Sequence, residues 1–395
     1  MIPSFGLHVP ARILFGPGRL GELSELVPQV SGFCRKPLLV LGGRSFAASD
    51  RCGALLADFR KLSISPQIVH IAGEPSPALI DGIVEDPSIT GRDLVIAIGG
   101  GSVLDGGKAL AAMLVERAPV NRFLDGVGSQ RPSGRKLPFI AVPTTAGTGS
   151  EATSNAVISS VGEKGFKKSL RHDRYMPDLA LIDPVLTLSC PSHLTISCSM
   201  DCLSQLVEGY LSSHGSPLTD ALALDGIRAV CRSLEAVCRD GENLAARTDM
   251  AYGALLSGMV LANAGLGTVH GFASAIGGFF AVPHGVVCGT LIAAANRSTL
   301  ASLRRSGTST EALDKYAMLG RICSPATGKS AFWYQDHFIA ELERLTGELA
   351  IPTLDAFGIG IADMEKIVAE TSNKYNPAPL APGELTEILL SRLDH

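Results

Sequence analysis

The sequence predicts an α/β fold in two parts: a parallel sheet flanked by helices, then an all-helical half. Three observations carry this. Short apolar runs closing on glycine, proline or threonine alternate with helical stretches up to Ile182, the signals beyond Ile182-Asp183-Pro184 are nearly all helical, and 395 residues exceed one ordinary core. We place the division between residues 1–184 and 185–395.

Taken in order, Lys36-Pro37 leads into LLVL and then Gly42-Gly43-Arg44. IVHIA (68–72) ends at Gly73, and DLVIAIGGG (93–101) and LPFIAVPTT (137–145) follow. Continuous apolar runs of this length are strands buried on both faces, with helices over 54–60, 76–84 and 102–115 between them. Ligands on such sheets gather at the carboxyl ends of the strands. The second half reads as helices over 202–211, 218–238, 244–264, 286–295, 311–321, 338–346 and 361–372.

Composition narrows the partners. Hydrophobic content of 46% with 18% charged residues is that of a folded chain, and a net charge of -4 leaves no basic footprint for nucleic acid. No apolar run approaches the roughly 20 residues of a membrane span, and the N-terminus lacks a basic, apolar leader, so a cytoplasmic protein is expected. The nine cysteines are scattered without a CxxC pair. That argues against a disulfide framework and a zinc–thiolate site, and they read as small buried apolar residues.

Two loops have the character of anion sites. Gly99-Gly100-Gly101-Ser102 follows a strand and opens a helix, so its backbone N–H groups and the helix N-terminus are free to hold a phosphate. Pro143 to Glu151 (PTTAGTGSE) follows the next strand and adds the hydroxyls of Thr144, Thr145, Thr148 and Ser150. Glycine loops are often only tight turns, but two at consecutive strand ends are stronger evidence for anion binding than either alone. Gly99, Gly101 and Leu104 break the Rossmann GxGxxG spacing, so a simple Rossmann domain is not supported. Asp105 and Lys108 are either cofactor contacts or a polar first turn with a solvated lysine.

The stretch 261–290, LANAGLGTVHGFASAIGGFFAVPHGVVCGT, sets His270 and His284 in apolar, glycine-rich surroundings, where an imidazole needs a hydrogen bond, a charge or a metal. Gly277-Gly278 followed by Pro283 separates the two. His270 is expected on a buried helix and His284 in the first turn of the next, opened by Pro283. Asp201 and Gln205 lie four residues apart on one helix face. With the two histidines they form a possible four-donor set for Fe²⁺ or Zn²⁺; the alternative is a helix-capping Asp201 and a solvent-facing Gln205.

In order and spacing these motifs resemble the iron-containing, or group III, alcohol dehydrogenases of the dehydroquinate synthase-like fold. Phe15-Gly16-Pro17-Gly18, GGGSVLDGGKAL, PTTAGTGSE, DPVLTLSCPSHLT, SMDCLSQLVEGYLS, SPLTDALAL, NAGLGTVHG, VPHG and NPAPL run along nearly the whole chain. The resemblance implies that residues 1–184 bind NAD or NADP and residues 185–395 hold a divalent metal. Asp201, His270 and His284 fall on three family ligands and are the expected catalytic set. Gln205 stands where the family has a fourth ligand, a histidine, and Ser274 where it has a further cleft histidine. A neutral amide oxygen weakens the site or changes its preferred ion, and Ser274 removes a proton relay.

By the same resemblance, the place where many members carry an aspartate facing the adenosine ribose is here Gly43, beside Arg44, which suits a 2′-phosphate, so NADP(H) is expected to be accepted. Lys167 lies where relatives place a lysine near the cofactor ribose. The implied reaction is hydride transfer between a primary or short-chain alcohol or aldehyde and NAD(P), with Fe²⁺, or else Zn²⁺, as Lewis acid. The expected partner is a small molecule, with neither nucleic acid nor membrane, and a homodimer is left open. The alternatives are a metal-independent reductase of the same fold, maleylacetate reductase-like, and a nucleotide-binding protein without turnover.

Overall fold

The computed structural model describes residues 4–32, 35–43, 45–307 and 309–393, so Arg44 lies outside the described residues. The strands are β1 (Ile13–Phe15), β2 (Leu38–Leu41), β3 (Gln67–His70), β4 (Val95–Gly99), β5 (Phe139–Pro143), β6 (Asn155–Ser160), β7 (Phe166–Arg171) and β8 (Leu179–Ile182). Six of them form one parallel sheet, ordered β1-β8-β5-β4-β2-β3.

Although the central strands are apolar throughout, the period of two divides their residues between two cores. Leu38, Val40, Val95, Ala97, Phe139 and Ala141 pack into one, and Leu39, Leu41, Ile96, Ile98, Ile140 and Val142 into the other. Helices α1 (Leu23–Ser31), α2 (Asp50–Lys61), α3 (Pro77–Glu85) and α4 (Gly101–Glu116) cover these faces. From β2 the chain turns outward to β3, then crosses to β4 on β2's other side. The order therefore reverses between β2 and β4, and their carboxyl ends open a crevice there.

The helical half comprises α5 (Ser192–Leu211), α6 (Pro217–Arg239), α7 (Leu244–Ala264), α8 (Thr268–Phe279), α9 (His284–Ser306), α10 (Thr310–Cys323), α11 (Ala331–Glu348), α12 (Met364–Glu370) and α13 (Pro382–Leu390). Helix α5 begins ten residues before the expected start at Cys202, and α9 runs well past Ala295. Helix α9 is long and apolar enough to cross a membrane by length and composition, contrary to the sequence expectation; in the fold 72% of that apolar window is buried. Its apolarity is accounted for by packing inside the bundle.

Three further details correct the sequence expectations. Gly277 and Gly278 do not end their helix, because α8 continues to Phe279 and the break falls at 280–283. A Cβ at Gly277 would lie 2.9 Å from the Lys167 side chain and one at Gly278 3.1 Å from the Phe166 backbone, so these glycines allow α8 to approach β7. The β6–β7 antiparallel hairpin was not foreseen, its strands carrying Ser159, Lys167 and Lys168 rather than an apolar run. And Cys231 is exposed rather than buried, on the outer side of α6.

Candidate active site

Helix α5 carries Asp201, Gln205 and Glu208 on one buried stripe. Asp201 lies in mid-helix and Gln205 is 1% exposed, which rules out the capping and solvent-facing alternatives. Pro283 opens α9 with extended backbone, presenting His284 at its first position, and His270 lies in the first turn of α8. The imidazole Nε2 of His270 is 3.2 Å from Asp201 Oδ1, and that of His284 is 3.5 Å from the same oxygen. One turn after His284, Cys288 brings its Sγ 3.7 Å from His270 Nε2 and 3.8 Å from His284 Nε2. The donor atoms of Asp201, His270, His284 and Cys288 all lie within 4.8 Å of one another, so one oxygen, two nitrogens and a sulfur converge on a point.

Neighbouring groups aim these donors. His270 Nδ1–H donates to Glu208 Oε2 at 2.6 Å, which leaves the Nε2 lone pair facing the cluster. The other Glu208 oxygen accepts the Val269 N–H at 2.6 Å, so one carboxylate both caps the first-turn amides of α8 and fixes the tautomer of its histidine. Asp201 Oδ2 accepts from Thr148 Oγ1 at 3.1 Å, leaving Oδ1 toward the histidines. Gln205 Oε1 instead accepts from Ser257 Oγ on α7 at 2.9 Å.

The ionisable groups of the cluster shift in different directions. Burial pushes the Asp201 carboxyl up, but His284, His270 and Thr148 outweigh it and hold it down to about 2. Burial alone would lower His270, yet Cys288, Asp201 and Glu208 draw it well above its usual value. His284 is lowered to about 4, by burial first and then by Lys167 and His270 against the pull of Asp201. The Asp201 carboxylate beside two imidazole nitrogens and a sulfur offers an anionic and two neutral nitrogen donors to a divalent cation. The donors present therefore fit a metal of borderline hardness.

The two glycine-rich loops meet at the crevice. Gly100 caps α4 with no side-chain hydrogen bond, leaving its N-terminal amides open beside Gly101 and Ser102. Thr144 N–H donates to the Gly99 carbonyl at 2.9 Å, and added methyls at Gly100 and Gly101 would lie 3.4 Å and 3.1 Å from the Thr145 and Thr148 hydroxyls. Gly43 follows β2 alongside this loop, with open space where a side chain would project. Lys167, on β7, pairs with Glu74 and accepts at its carbonyl from Ser274 Oγ at 3.2 Å.

Asp105 and Lys108 lie beneath the loops. Asp105 accepts from Ser150 Oγ and from the Val157 N–H, both from the adjoining segment. Lys108 is 0% exposed and donates to the Ser150 carbonyl, Thr153 Oγ1 and the Asn155 carbonyl at 2.7–2.9 Å, which overturns its reading as solvated. It ties the second loop to α4.

Sequence inspection missed Glu208 and Cys288. The spacing was visible: Glu208 follows Asp201 by seven residues, two helical turns, and Cys288 follows His284 by four. What hid Cys288 was its treatment as an inert apolar residue.

Comparison with known proteins gives one answer along the chain. Residues 10–184 match the family described as iron-containing alcohol dehydrogenase, and residues 195–392 match the C-terminal region of the Fe-containing alcohol dehydrogenase family. Long-chain-alcohol dehydrogenase 1 of Geobacillus thermodenitrificans is 33% identical over 96% of this chain and 95% of its own length. A 1,3-propanediol dehydrogenase of Citrobacter freundii is 31% identical, with 97% of each chain covered. The crystal structure of a 1,3-propanediol oxidoreductase superposes with a TM-score of 0.88 at 27% identity, covering 99% of this chain and 100% of that one. With its loops at the carboxyl ends of a parallel sheet and its donors converging from α5, α8 and α9, this chain is an oxidoreductase of the iron-containing alcohol dehydrogenase family, a family that uses NAD(P) and a metal, and it carries a potential metal site.

Proposed function

We propose that the protein interconverts a primary or short-chain alcohol and its aldehyde with NADP(H) or NAD(H), at a metal held by Asp201, His270 and His284 between the sheet domain, residues 1–184, and the helical domain, residues 185–395. The observation that carries this is the convergence of Asp201 Oδ1 and both Nε2 atoms beside the loop whose Thr148 holds Asp201. A divalent cation bound there supplies fixed positive charge and Lewis acidity toward an alcohol or carbonyl oxygen. Glu208 holds His270 in the tautomer that presents Nε2, and Thr148 holds the Asp201 carboxylate in register with the dinucleotide loop. Gly99 to Ser102 offers amides to the pyrophosphate, with Thr144, Thr145 and Thr148 facing the same crevice. Lys167 is anchored by Glu74 at the rim near His284 and is assigned to the ribose side of the coenzyme.

The coenzyme assignment rests on Gly43. Open space at its Cβ position leaves room for a 2′-phosphate where an aspartate would repel one. Iron is favoured by the family, and zinc by the nitrogen and sulfur donors. The test is anaerobic purification with metal analysis, then assay of short-chain alcohols and aldehydes with both coenzymes before and after chelation. Activity that disappears on chelation and returns with Fe²⁺ or Zn²⁺ supports the proposal. Full turnover by a protein that never binds metal refutes it, and a far lower kcat/KM with NADP(H) than with NAD(H) refutes the coenzyme assignment.

A further inference from the structure

We propose that Cys288 is a metal ligand in this protein, its thiolate taking the coordination place that Gln205 leaves open. This rests on the reading that a metal sits among Asp201, His270 and His284. The Cys288 side chain is fully buried at the border of the apolar cluster of Val269, Phe272 and Leu291, and its sulfur faces both Nε2 atoms at 3.7 Å and 3.8 Å. A backbone constraint holds it there: Gly289 lets α9 approach α5 so closely that an added methyl would meet Met200 at 3.0 Å. Gln205, on the facing helix, offers only a neutral amide oxygen, which lies 2.9 Å from Ser257 Oγ. The donors that remain are one carboxylate, two imidazoles and one thiol, a four-ligand set of the kind that binds Zn²⁺, Co²⁺ or Fe²⁺.

The ligand exchange changes the chemistry of the site. A thiolate adds a negative charge and a soft donor where Gln205 has a neutral amide, so retention of thiophilic ions rises and that of Mg²⁺ or Mn²⁺ falls. The thiol proton leaves to solvent as the metal–sulfur bond forms, with no oxidant or reductant needed.

The test is spectroscopic. Apo-protein prepared anaerobically with a chelator is titrated with Co²⁺, and bound cobalt and the near-ultraviolet spectrum are recorded for wild type, Cys288→Ser and Cys288→Ala. Expected is stoichiometric binding with an intense sulfur-to-cobalt charge-transfer band in wild type only. Affinity should fall by about 10-fold or more in the variants, the lower end of what even outer partners of a metal site contribute. Circular dichroism and coenzyme binding establish that the variants are folded; should Cys288→Ala fail to fold, Cys288→Ser and the wild-type spectrum decide. Cobalt bound by wild type without the band, or a band that survives in either variant, overturns the proposal and leaves the metal site standing. A wild type that binds no cobalt overturns both.

Discussion

Glu208 is the residue whose replacement best separates architecture from chemistry. It accepts the Val269 N–H at 2.6 Å, the His270 N–H at 3.3 Å and His270 Nδ1–H at 2.6 Å. Glu208→Gln keeps the shape but exchanges one acceptor oxygen for an NH₂ group that cannot accept. Whichever way the amide turns, either the α8 amides or the imidazole loses its partner. With the oxygen toward Val269, His270 loses the anchor of its tautomer, and metal affinity should drop about 10- to 100-fold, or about 1.4 to 2.8 kcal/mol. Glu208→Ala removes the cap as well, about 1 kcal/mol, and leaves a buried N–H unpaired for about 1 to 3 more, so stability should fall by roughly 2 to 4 kcal/mol. Competition titration with a metal indicator reads the first effect and denaturant unfolding the second. A Glu208→Gln protein that binds metal within about twofold of wild type at unchanged stability would refute the role assigned to this carboxylate.

Other substitutions probe the loops. Gly149 has φ 65°, and a methyl added there would lie 2.4 Å from the Ala254 carbonyl oxygen and 2.5 Å from the Gly258 nitrogen. Gly149→Ala should therefore cost about 2 to 4 kcal/mol from backbone strain and overpacking, and weaken coenzyme binding; an unchanged melting temperature would contradict this. Burial raises the Glu151 carboxyl to about 7. The folded state thus holds a proton that the unfolded chain releases near its ordinary value of 4.5, giving stability that is fully present below that value and lost as pH rises through 7. Glu151→Gln should flatten this slope between pH 4.5 and 7, and identical pH–stability curves would count against it. Gly43→Asp should raise the KM for NADP(H) at least about 10-fold while sparing NAD(H), and equal effects on both would remove Gly43 from the 2′-phosphate site.

The sheet was legible because each central strand is short, apolar and closed by a turn residue, a pattern that packing on both faces requires. The β2, β4 and β5 runs appear where the sequence places them, and α7 matches its expected span of Leu244–Ala264. The hairpin of β6 and β7 was illegible for the complementary reason. Its buried apolar residues Ala156, Ile158 and Leu170 share their strands with Asn155, Ser159, Lys167, Lys168 and Ser169, so no continuous apolar run marks them. Lys108 shows a different limit. A lysine in the first half of a helix reads as solvated, and only the fold shows four oxygens of the 150–155 segment around its ammonium in the interior.

The site divides along the same line. His270 and His284 were legible from the conflict between an imidazole and its apolar neighbours, and Asp201 with Gln205 from a shared helix face. Motif reading also marked Gln205 as a loss, since it compares one position with one expected residue type. It could not show the compensation, because Cys288 lies 83 residues further on and comes near Asp201 on α5 only once α9 packs across it. The signal was nonetheless local: a cysteine one turn after a histidine on a helix whose first turn already points at a carboxylate. Where a ligand is missing from a motif, the positions one helical turn from the remaining ligands are where a replacement donor can physically reach the same ion, and here that position holds a thiol.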